Sequence, residues 1–161
     1  MFVAFRVWSL TLIFLIPMFS IPMFGQSAYA LKRPTLQDGV YKPGKLILAG
    51  KHLRCGKVKT LVSSNYWNTA GSIPGLIGLN PRKLKKYSRV EQWFIYTHEC
   101  GHQHVGKSER RADCWASKTG HRQGWLKKSG LRRICHRLRN DPAKAPYPSG
   151  KMRCRIMKRC F

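Results

Sequence analysis

The run His98-Glu99-Cys100-Gly101-His102 constrains this chain more than any other feature. Two imidazoles four residues apart meet on one side only if the backbone between them is helical. The flanking residues favour that helix. Ser88-Arg89-Val90-Glu91 has the spacing of a capping box, with Ser88 at the N-cap and Glu91 three residues on. Val90, Phe94, Thr97, Gly101 and Val105 recur at helical spacing, and Gly106 is a natural stop. The pattern predicts a helix of about four to five turns with the pentapeptide late in it.

Histidines so placed can hold one Zn²⁺, and the glutamate beside the first can act on a metal-bound water. Read alone, the pentapeptide also fits two partly buried helix histidines. A catalytic zinc needs a third protein ligand and an open position. Six residues past His102 stands Ser108, so a third histidine is missing there. His104 lies two residues past His102 and points off the shared side.

Glu109 and Asp113 are the better candidates. They share one side of a second helix, capped by Ser108 and expected to end at Gly120. If the helices fold back about Lys107, Asp113 stands level with Gly101 and Glu109 level with Val105. Asp113 is then placed either to ligate directly or to accept the second-nitrogen proton of a ligating histidine. Glu109 is long enough to reach back one turn.

Carboxylates are scarce, which makes their placement informative. The chain has 31 Lys+Arg against six Asp+Glu, a net charge of +25, and Glu91, Glu99, Glu109 and Asp113 are four of the six acids. Such a surface favours polyanions such as envelope polymers or anionic lipid headgroups. A solvated basic surface without a dedicated ligand fits the charge equally well.

The apolar run Val7–Phe24 follows Arg6 and precedes Ala28-Tyr29-Ala30, an A-x-A pattern. It reads as a signal peptide, residues 1–30, cleaved after Ala30; an uncleaved anchor is the alternative. The mature domain, 31–161, would be periplasmic or secreted, where envelope partners fit better than nucleic acid. A monomer is expected.

Export gives the six cysteines a role as a disulfide set. Cys100 and Cys114 stand level in the folded-back register, so a bridge between them is expected. Cys154 with Cys160 would close a small loop, and Cys55 with Cys135 would join the early strands to a later helix.

The remaining elements are short. Residues 45–49 and 57–62 read as strands, paired across Gly50–Gly56. Residues 73–79, with Pro74 inside, suit an edge strand. A third helix is expected over Leu131–Leu138, and from Asn140 onward order is expected to depend on Cys154 and Cys160. Trp93 and Trp115 sit at core spacing, while Trp67 and Trp125 suit core or cleft walls. No residue stands out as a transition-state donor; His121, Arg122, His136 and Tyr147 are candidates, and each fits a surface or packing role better. The fold class is α+β: a short twisted sheet, a site helix and a returning helix, tied by disulfides.

His98-Glu-x-x-His102 followed by Glu109-Arg-Arg-Ala-Asp113 resembles the HExxH plus E-x-x-A-D pattern of gluzincin-type metallopeptidases, the M48-like and minimal gluzincin proteins. The run from Ile77-Gly-Leu-Asn-Pro81 to Ala112-Asp-Cys-Trp-Ala116 also resembles small exported bacterial proteins of uncharacterised function. The resemblance implies a zincin-like domain with one Zn²⁺ held by His98, His102 and Glu109. It implies Asp113 in an orienting role, Glu99 as general base, and an extended peptide or protein substrate paired with an edge strand. The gap between His102 and Glu109 is much shorter than in M48 peptidases. The alternative reading is a zinc-stabilised, non-catalytic cationic binding protein of the envelope.

Overall fold

The computed structural model describes residues 36–145 and 147–161. The expected signal peptide lies outside the described residues. What is described is a mixed α+β fold with a small sheet and two disulfides.

Six short strands come first: β1 (Gly39–Tyr41), β2 (Leu46–Leu48), β3 (Lys51–Leu53), β4 (Lys59–Val62), β5 (Ala70–Ile73) and β6 (Leu76–Leu79). Five helices follow: α1 (Pro81–Leu84), α2 (Arg89–Val105), α3 (Glu109–Arg122), α4 (Lys128–Leu138) and α5 (Gly150–Cys160). Among the described residues, no helix is long and apolar enough to cross a membrane.

The expected pairing of 45–49 with 57–62 is corrected. β2 pairs instead with β3 across Ala49-Gly50, both at positive φ, as a two-residue hairpin turn requires. β4 joins a four-stranded sheet of order β1-β4-β6-β5, antiparallel to β1 and parallel to β6. The expected single strand over 73–79 is also two elements. Pro74-Gly75, with Gly75 at φ 78°, turns the chain between β5 and β6. The edge is therefore β5, and β6 is interior.

The core is in two parts. The first packs the sheet and the β2–β3 hairpin against α2, with Leu46, Leu48, Ile77, Leu79 and Tyr96 buried. The second packs Phe94 of α2 with Ala116, Leu126, Leu131, Ile134 and Met157. Trp93 seals the first, donating its indole N–H to the Leu48 carbonyl at 2.8 Å, and meets Trp125 edge-on. Trp115 stacks on His104.

α2 begins with the expected Ser88–Glu91 capping box. α3 returns along it, and the contact is close. A Cβ on Gly101 would lie 3.2 Å from the Ala112 backbone, so only glycine allows this approach without a shift. α3 does not stop at Gly120 but runs on to Arg122. Gly120 is inside the helix because Trp125 and Leu126 occupy the space of its missing side chain. α4 starts three residues earlier than expected.

The disulfide pairing differs from expectation. Cys55 bridges Cys100, tying the β3–β4 loop to α2, and Cys114 bridges Cys160, tying α3 to α5. Cys100 and Cys114 are near one level but point apart: Cys100 faces the sheet, Cys114 the last helix. Cys154 cannot close a loop with Cys160 because both lie on α5, where Cys160 is taken by Cys114. Cys135 and Cys154 are thiols, half-buried against the second core. Two disulfides are consistent with an extracellular location.

Candidate metal centre

The histidines of α2 and the carboxylates of α3 converge. His98 Nε2 lies 3.1 Å from Glu109 Oε2 and 3.2 Å from His102 Nε2, and His102 Nε2 lies 3.5 Å from Glu109 Oε1. A tetrahedral ion with bonds of roughly 2.0–2.1 Å spaces its ligand atoms about 3.3 Å apart. The three separations bracket that value, so these residues could hold a metal ion.

The outer nitrogens are also engaged. His102 Nδ1 lies 2.8 Å from the Gly106 carbonyl, which suits an N–H donated to the helix C-terminus and leaves Nε2 for the site. His98 Nδ1 lies 2.9 Å from Asp113 Oδ1, though not in straight hydrogen-bond geometry. Asp113 is fully buried and is gripped by Arg153 of α5 through two contacts of 2.7 Å. Of the two carboxylates, Glu109 faces both Nε2 atoms, and Asp113 stands behind His98.

Ionisation follows from these contacts. Burial disfavours the His98 cation, but Asp113 and Glu109 outweigh it and raise the pKa to about 9. Burial alone would raise Glu109; the two histidines instead hold it down to about 2. Burial likewise opposes the Asp113 anion, and Arg153 and His98 reverse this to lower its pKa. Glu99 has no such partner: burial raises its pKa against the pull of His98 and His102.

These residues open onto a cavity of ≈ 1110 Å³, walled on one side by β5 and on another by α4 and Tyr147. Gln103, one residue past His102, fixes the β5 wall. Its side-chain amide donates to Ser72 Oγ and to the Ile73 carbonyl at 2.8 Å, and its oxygen accepts from the Gly75 N–H at 3.0 Å. Tyr66 lies on the outward face of the sheet, its ring filling the space left by Gly71 and Gly78. Burial and the Glu99 charge raise its pKa.

Of the four candidate donors, Tyr147 lines the cavity; His121 packs on Phe161, and Arg122 and His136 face solvent elsewhere, as surface residues do. A second grouping, Cys55, Cys100 and His104, offers no thiolates because its sulfurs are bridged. Arg153 and Gln103 escaped the sequence reading. Arg153 had one available signal: Pro148-Ser149-Gly150 is a helix start, and Ser149 does cap α5.

Compared with known proteins, the chain matches no family model, no curated protein and no solved structure.

Proposed function

We propose that this chain is an exported zinc-dependent peptidase of gluzincin-like type. The observation that carries the reading is the spacing of three ligand atoms, 3.1 to 3.5 Å, beside Glu99, a carboxylate with no ion-pair partner among the described residues. His98, His102 and Glu109 would hold Zn²⁺, with Asp113 orienting His98 and Arg153 keeping Asp113 anionic. Bound there, zinc would polarise a peptide carbonyl and lower the pKa of a water.

The chain's own residues do the rest. Glu99, its proton affinity raised by burial, takes the proton of the attacking water and passes it to the leaving amine. The edge of β5, unpaired among the described residues, offers backbone groups to an extended peptide. Soft thiolate sites are absent from the donor set, and two imidazoles with one carboxylate suit zinc.

Glu99→Gln tests this directly. Zinc content, measured by atomic emission, should stay at one per chain, while hydrolysis of a peptide library falls about 10²–10⁴-fold. Equal activity in both proteins would remove Glu99 from the mechanism, and a zinc-loaded wild type that cleaves nothing would sink the reading.

A cationic binding protein is the second reading. A groove of ≈ 620 Å³ between α3 and α5 carries Arg110, Arg111, Lys118 and Arg159 over Trp115 and Ile156. In that case polyanion affinity is unaffected by Glu99→Gln and falls when those four charges are removed.

A further inference from the structure

Among the described residues six large apolar side chains are exposed, and three of them line the same cavity. Trp67 is 78 % exposed, Ile73 63 % and Tyr147 48 %. Isolated exposed apolar residues call for no explanation; several lining one cleft do, and Trp67 and Ile73 stand on its sheet side.

Trp67 is exposed, but its backbone is not loose. The buried Asn80 side chain donates to the Ser64 carbonyl at 3.2 Å and to the Tyr66 carbonyl at 2.6 Å, and its N–H donates to the Thr69 carbonyl at 3.0 Å. Lys83 donates to the Trp67 carbonyl itself. The Tyr66 ring, seated over Gly71 and Gly78, packs against Trp67 with centroids 6.1 Å apart. An exposed indole on a pinned backbone is preorganised for contact, so binding costs little ordering entropy.

Strand geometry says which side of a bound peptide these residues meet. Along β5, Ala70 is in the core and Ser72 bonds Gln103 of α2, so both face inward; Gly71 and Ile73 face outward. A peptide paired with the β5 edge alternates in the same way. Its inward side chains turn toward Glu99 and α2. Its outward ones lie beside Ile73, Tyr66 and Trp67, at cross-strand contact distance.

Resting on the peptidase reading, we propose that this outward rim selects substrate: extended peptides with bulky apolar or aromatic side chains at alternate positions, two residues apart. Tyr66, Trp67 and Ile73 form the contact. None of the three is charged.

The test is cleavage profiling of the zinc-loaded full chain on a randomised peptide library. Trp67→Ala, Ile73→Ser and a distant exposed control, Ile47→Ser, are compared with wild type. Calorimetric binding of a Phe-containing peptide to the Glu99→Gln protein, with and without Trp67→Ala, is measured in parallel. The expected wild-type profile is apolar enrichment at positions of one parity, retained in Ile47→Ser. Enrichment should fall at least about fivefold in Trp67→Ala and Ile73→Ser, with zinc content and disulfides intact.

Cleavage without alternate enrichment, or enrichment untouched by the rim variants, overturns the inference and leaves the peptidase reading standing. If wild type cleaves nothing, the peptidase reading fails, and calorimetry alone decides the rim. A tenfold weaker Kd on Trp67→Ala keeps it as a peptide-binding surface, and no binding removes it.

Discussion

The cleft has two walls held in different ways. On the sheet side, positions are set mostly by neutral hydrogen bonds: Gln103 to the β5–β6 turn, Asn80 to the Trp67 loop, Trp93 to Leu48. On the helical side, buried or half-buried ion pairs do the work: Arg153 with Asp113 and Arg137 with Glu91. Each wall has its own core and its own disulfide. α2 belongs to both, so His98 and Glu99 sit at the seam. One site thus depends on two kinds of force with different sensitivities to charge and acid.

Asp113→Asn should break the helical wall most severely. Arg153 would keep its burial but lose its bidentate partner, and severing such a pair costs about 3 kcal/mol or more. Metal affinity should fall about 10–100-fold, because His98 loses the group that orients it. Denaturant unfolding and competition with a chromogenic chelator measure the two effects.

Gln103→Ala probes the neutral wall. It removes three hydrogen bonds, each worth about 0.5–1.5 kcal/mol net, and part of that is recovered by water; a loss of about 1–2 kcal/mol is expected. Metal affinity should change less than twofold, since no ligand atom is touched. A metal-affinity loss matching that of Asp113→Asn would show that the walls are not separable.

Acid should separate the walls more gently. Burial raises the Glu91 pKa, but Ser88 and Arg137 outweigh it and bring it below its ordinary 4.5. A carboxylate depressed in the folded state stabilises the fold above pH 4.5 and loses that contribution as pH falls below it. Protection factors in α4, which remove the intrinsic slowing of amide exchange in acid, should therefore drop below pH 4.5 before those of β4 and β6. Arg137 is half exposed, so the effect is about 1 kcal/mol or less. Arg137→Met should abolish the lead of α4 over the sheet; an unchanged order would assign it elsewhere.

What could be read in advance was local. The Ser88 cap, the course of α2 and the start of α3 at Ser108 each depend on residues within a few positions. The sheet order could not be read, because β4 pairs in parallel with β6 through an intervening edge strand, a choice made by packing on α2 rather than by any turn. The bridges failed for a related reason: level on a helix pair was legible, but direction around each axis depends on what else packs there. Arg153 lies forty residues from Asp113, and charge alone could not single it out among 31 basic residues.

The two unspecified letters of the H-E-x-x-H pattern turn out not to be spacers. Cys100 is covalently committed to the β3–β4 loop, and Gly101 is the point where the returning helix comes closest. Four of the five residues therefore have a partner of their own, Asp113 for His98, Cys55 for Cys100, Ala112 for Gly101 and the Gly106 carbonyl for His102, and Glu99 is the one left to the cavity. A saturation scan across them should find no silent position, and a single isotope label at Gly101 would report at once on oxidation, helix docking and site assembly.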